Sequence, residues 1–125
     1  MARVLIVGLD PAVVDFSDPA LPPGMTAEKV HAGLAVAVAQ LEAAGHRCDL
    51  CLTDTGETAE AVVAAQLALG PYDCVVVGAG VRLPPSRLVL FEKVVNAIHR
   101  HAPGAAIAFN TRPDDSGEAA ARWLG

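Results

Sequence analysis

Aromatic residues are scarce in this chain of 125 residues: one Trp, one Tyr and three Phe, 4% of the total. Its core must therefore be built from Val, Leu, Ile and Ala. Charge is scarce too, at 18% against 53% hydrophobic residues, a balance too apolar for a disordered segment. Nine Lys and Arg face 14 Asp and Glu, for a net charge of −5. That balance excludes a nucleic-acid surface, which needs clustered cations to meet phosphates. No apolar run is long enough to span a bilayer. The opening "MARVLIVGLD" enters a strand pattern at once, without the basic, apolar and small-residue layout of a secretory signal. The expectation is a cytoplasmic protein with no membrane or nucleic-acid partner. No G-K-[ST] occurs, so a Walker A loop is absent, and no Ser-His-Asp or Cys-His grouping is visible.

Cysteine is limited to Cys48, Cys51 and Cys74. The first two form a CxxC, "CDLC", a spacing that can carry redox chemistry or a metal. The redox form needs a helix N-terminus to lower the thiol pKa. Here the pair lies in "RCDLCLTD", which reads as a strand, and residues three apart on a strand point to opposite faces. Buried thiols are the expectation, with neither disulfide nor zinc.

What is present is alternation. Four apolar runs read as strands: Arg3–Val7, Arg47–Thr53, Asp73–Gly78 and Ala105–Asn110. The first, third and fourth are nearly continuous, as in a parallel sheet covered on both faces. Helical patterns lie between them. Thr26 caps a helix to Ala44, with Val30, Leu34, Val38 and Leu41 on one face and Gly45 as its stop. Asp54 and Glu57, at capping-box spacing, open a second that carries Val62, Val63 and Leu67. Pro84-Pro85-Ser86 opens a third with the stripe Leu88, Phe91, Val94, Val95 and Ile98. A short last helix starts at Asp115 and Glu118 and buries Trp123 and Leu124. Strands alternating with helices imply right-handed βαβ units. The predicted fold is one α/β domain over residues 1–125: a three-layer, doubly wound parallel sheet of four strands in order 2-1-3-4. In such sheets a ligand binds beyond the carboxyl ends of the strands, where the winding reverses. That point lies between the first and third strands.

The runs "RVLIVGLDP", "GHRCDLCLTDTGETAEAV", "YDCVVVG" and "AAIAFNT" together resemble a response-regulator receiver domain, a flavodoxin-like fold, without its last strand. The likeness spans most of the chain. In receivers the first strand ends in an acidic pair that holds magnesium; here Gly8 and Leu9 stand there, with Asp10 adjacent. Gly78 stands where the phosphoaccepting aspartate would be, Asn110 and Thr111 where a hydroxyl residue ends the fourth strand, and the late lysine has no counterpart. The resemblance thus implies the fold without the phosphorylation chemistry. The segments "GLDP", "DFSDPALPPGM" and "FNTRPDDS" also resemble those of a family of small bacterial α/β proteins, which implies nothing about activity.

The glycine-rich "VVVGAGVRLPP" is a poor dinucleotide fingerprint. Gly78 and Gly80 fit the first two positions, but Leu83 replaces the third glycine and two prolines delay the helix. No cofactor is expected. A plainer anion site is. Gly8, Gly78, Ala79 and Gly80 let main chain approach a ligand, Arg82 and Arg112 offer planar forks for carboxylate or phosphate, and Asn110 and Thr111 add donors. Arginines at a rim also pair with neighbouring Asp. The connection from about residue 9 to 25, "LDPAVVDFSDPALPPGM", exceeds the roughly 12–15 residues beyond which loops are usually functional. Its prolines stiffen it, and Val13, Val14, Phe16, Leu21 and Met25 favour packing, so it is expected to cover the crevice. Asp10 is the candidate acid or base. Asp10, Asp15 and Asp18 lack EF-hand spacing, and no metal is expected. The reading is a domain that binds a small anionic metabolite, with catalysis left open. The alternative is a non-catalytic pseudo-receiver acting through homodimerisation or protein interaction, by way of Leu90 and Phe91 and the open edge of the fourth strand.

Overall fold

The computed structural model describes residues 1–124. Its sheet has four parallel strands, β1 (Arg3–Leu9), β2 (Arg47–Thr53), β3 (Cys74–Val77) and β4 (Ala106–Phe109), in the order β2-β1-β3-β4. Val4 to Val7 of β1 pair with Cys48 to Cys51 on one side and with Cys74 to Val77 on the other. Alternate residues of the buried central strands feed two cores. Leu5, Val7, Val75 and Val77 pack with α2 (Ala59–Leu67) and α4 (Leu88–His101). Val4, Ile6, Cys74 and Val76 pack with α1 (Ala27–Ala43) and α5 (Ser116–Leu124). This is the three-layer, doubly wound arrangement expected from the alternation, and the winding reverses between β1 and β3.

The helix signals act as elementary chemistry dictates. Thr26 is extended and its hydroxyl accepts the Lys29 N–H at 3.2 Å, capping α1. Gly45 takes φ of +88° directly after α1, where a Cβ would be strained. Three expectations change. The residue before α2 is Thr58, not Asp54; Asp54 instead accepts from the N–H groups of Gly56 and Thr58 and from the Thr58 hydroxyl. The buried stripe of α4 is Leu90, Val94, Ala97 and Ile98, which puts Leu88 on the outer side and 59% exposed. Leu90 is thereby core, and not part of an open surface as expected. Trp123 stands 59% exposed, because Ala119 and Ala120 are the residues that α5 turns to the sheet.

Cys48 packs in the core on one face of the sheet and Cys51 in the core on the other, and both thiols are free. Burial, then the carboxylates of Asp49 and Glu42, push the Cys48 thiol up to about 12; burial also raises Cys51. No helix among the described residues is long and apolar enough to cross a membrane.

Candidate functional site

A cavity of about 140 Å³ opens at the carboxyl ends of β1 and β3. Gly8 and Leu9 form one side and Gly78 to Gly80 the other, with Asn110, Thr111 and Arg112 from the end of β4. Its cover is the long β1–α1 connection, which contributes Pro11, Val14, Phe16, Leu21, Pro22 and Met25. Val13 alone of the apolar residues expected to pack points outward, 43% exposed. The connection is held by three local turns. The carboxylates of Asp10, Asp15 and Asp18 accept the N–H of Ala12, Ser17 and Ala20, each two residues on, at 2.9–3.0 Å. Hydrogen bonds from the Ser17 hydroxyl and N–H hold the Asp15 carboxyl below its ordinary range. Asp10 is thus the cap of a short turn at Pro11–Val13, and its side chain is not part of the cavity wall.

The "GAGVR" tip is helical. Gly78, at φ −69° and ψ 152°, precedes the single turn α3 (Ala79–Arg82). Neither glycine there needs left-handed backbone. Gly78 serves close approach instead: a Cβ would stand 3.2 Å from the Val7 carbonyl oxygen and 3.6 Å from the Gly8 Cα. The helical turn also decides where Arg82 goes. Residues two apart on a helix lie some 200° apart around its axis, so a turn that sets Gly80 on the cavity sends Arg82 away from it. The Arg82 guanidinium donates to the Asn110 carbonyl and lies over the Phe109 ring, 5.7 Å from its centre. It does not line the cavity. It bridges α3 to β4, with its Nη1 buried and without a hydrogen-bond partner among the described residues, and it stands off the cavity wall where a charge anchor was expected.

Arg112 does line the cavity, and it also pairs with neighbouring acids, with Nε 2.7 Å from Asp114 and Nη1 3.8 Å from Asp115. Asn110 is buried and internally satisfied. Its Oδ1 accepts the Ala79 N–H at 2.7 Å and its amide donates to the Ser116 hydroxyl at 2.8 Å. The Thr111 hydroxyl donates to Asp115. Burial acts to raise Asp115, but hydrogen bonds from the Thr111 hydroxyl and from the main chain of Arg112 and Thr111 outweigh it and hold the carboxyl low. These bonds lock the segment from Asn110 to Ser116 against the sheet.

Two residues were not read from the sequence. Arg87 lines the cavity mouth, and its Nη1 donates to the Gly80 carbonyl at 2.7 Å. Among the described residues it has no acidic partner within ion-pair distance. Its signal was the Pro84-Pro85-Ser86 start, which places the next residue at the head of a helix at the same sheet end. Gly33 of α1 is the other. A Cβ there would come 2.8 Å from the Pro113 Cβ and 3.1 Å from the Asp114 main-chain N, so only glycine lets the Asn110–Ser116 segment seat on α1. Among the described residues, no group of three or more His, Cys, Asp or Glu is placed to hold a metal ion. No family model matches this chain, and no curated protein matches it.

Proposed function

We propose that this domain binds a small anionic molecule in the cavity between the ends of β1 and β3. One observation carries the reading. The chain has a net charge of −5, yet the charged residues lining the cavity are two arginines, Arg87 and Arg112, and no acid. A concave, largely apolar pocket with a few convergent polar groups at a topological switch point is the usual form of a small-molecule site. The anchor in this reading is Arg87, since its guanidinium has no counter-charge, with Arg112 as a screened second cation. The test is a thermal-shift screen of carboxylates and phosphates against neutral molecules of similar shape. A ligand at one hundred times its Kd adds about 2.7 kcal/mol of stability. Anions should raise the melting temperature of the native chain and not that of Arg87→Ala. Equal shifts from neutral analogues, or from both proteins, would sink the reading.

A second reading, association of two copies along the β4 edge, is favoured by Phe109. It sits on the edge strand, 37% exposed, with its ring 5.7 Å from that of Phe91. Edge strands with apolar side chains need a cover. Sedimentation of the native chain should then give a dimer that Phe109→Lys converts to monomer; a monomeric native chain removes this reading.

A further inference from the structure

We propose that the cavity takes a monocarboxylate whose apolar body is about the size of a benzene ring, and that it rejects phosphorylated polyols. This rests on the anion-binding reading above and adds the ligand class.

Size comes first. The cavity holds about 140 Å³, and an apolar cavity of roughly 150 Å³ accommodates benzene. The space thus matches a single compact ring more closely than a nucleotide. The walls set the second condition. Ile6, Leu34, Val30, Met25, Phe16 and Val14 surround the interior with hydrocarbon. Hydroxyl groups placed there lose their water, and burial without partners is unfavourable in an apolar medium. The polar side chains of the wall offer little in return. Both ends of the Asn110 amide are bonded within the protein, and the Thr111 hydroxyl is given to Asp115. A polyol would find its hydroxyls unanswered, while a ring or branched hydrocarbon would not.

Charge sets the third condition. Arg112 is balanced by Asp114 at 2.7 Å and faces Asp115. Lys29 lies beside the neighbouring depression with its ammonium 2.7 Å from the Gly24 carbonyl, and it does not line the cavity. That leaves Arg87 as the uncompensated cation among the residues that line the cavity. One guanidinium matches one carboxylate in charge and in its planar, two-pronged geometry. A phosphate monoester, which carries close to two charges at neutral pH, would keep part of its charge unpaired beside hydrocarbon.

The experiment is a titration of the 15N-labelled full chain with benzoate, benzyl alcohol, glycerol 3-phosphate and inorganic phosphate. The amide signals of Ala79, Gly80 and Thr111 report the cavity. Benzoate should move all three and saturate; the two phosphates at equal concentration should not. Arg87→Met keeps the alkyl stem and should weaken benzoate about tenfold or more, as loss of a charge-assisted bond does. Arg87→Lys should recover part of that loss. Val30→Phe fills the wall without touching the charge and should abolish the benzoate shifts, which keeps the proposal testable if the Arg87 variants fold poorly. Glycerol 3-phosphate binding at these amides as tightly as benzoate would overturn the monocarboxylate class and leave the anion reading standing. Benzyl alcohol binding as tightly as benzoate, or unchanged affinity in Arg87→Met, would overturn both. Benzoate moving none of the three amides, or binding Val30→Phe unchanged, would overturn the cavity as its site.

Discussion

The two ends of the sheet use the same residue types to opposite effect. At the amino-terminal end, Arg3 meets Asp49 at 3.3 Å, donates to the Leu69 carbonyl at 2.7 Å and lies 4.6 Å from the centre of the Tyr72 ring. Tyr72 in turn donates to Asp49 at 2.8 Å and accepts from Gln66 at 2.9 Å. The Tyr72 hydroxyl, more than the Arg3 charge, holds the Asp49 carboxyl below its ordinary range. The Arg3 charge there is answered from within, by Asp49. At the carboxyl-terminal end there is a cavity, and one of its two arginines is unanswered. An arginine in the sequence says little by itself. What separates a fastening from a binding group is whether an acid reaches it, and that depends on which strand ends become neighbours.

Breaking the closed end should have the largest effect on stability. Asp49→Ala leaves the Tyr72 hydroxyl without its acceptor and the Arg3 guanidinium without its counter-charge, though Arg3 keeps the Leu69 carbonyl, and a partly buried group so orphaned costs about 1–3 kcal/mol. Denaturant titration should place the loss toward the upper part of that range, with benzoate affinity at the far end unchanged. A change in affinity would mean that the two ends are coupled.

Gly33→Ala tests the open end, where stability and binding should move together. The new Cβ meets Pro113 and the Asp114 main chain, so either α1 or the Asn110–Ser116 segment must shift. Overpacking of this kind costs about 1–3 kcal/mol. Thr111, Arg112 and Pro113 belong to the cavity wall, so ligand affinity should fall as well. A destabilised protein with intact affinity would show that the wall is held by other contacts.

The smallest effect expected is at Asp115, and it depends on pH. Its native carboxyl lies below the ordinary value, so its contribution to stability is present above roughly pH 4 and is lost as pH falls through the native value. The stability gap between the native chain and Asp115→Asn should therefore be widest near neutrality and close in acid. A gap independent of pH would assign the effect to lost packing instead.

Much of this architecture is legible in the chain because it is local. Thr26 and Gly45 bracket α1 by their own backbone chemistry, and the three-residue spacing of Cys48 and Cys51 divides them between the faces of β2. Continuous apolar strands separated by helices fix the sheet order, and the order fixes where the cavity lies. The rest is tertiary. The "GAGVR" tip is too short for a helical period to appear, so the direction of Arg82 could not be read. The phase of α4 follows from Leu90 and Ala97 meeting the sheet, while the sequence stripe admits Leu88 equally well. Gly33 has no local reason to be glycine at all; its reason is Pro113, eighty positions away.

The three aspartate turns of the β1–α1 connection bear on the order in which the chain assembles. Each is a contact between residues two apart, so it can form before any strand has found a neighbour. β1 must pair with a strand that begins at Arg47, and the entropy of closing so long a loop grows with the number of free residues it contains. Turns at Asp10, Asp15 and Asp18, with α1 beginning at Ala27, shorten the segment that still wanders. On this account the connection that covers the cavity would also aid folding, by contracting the chain between the first two strands before they meet.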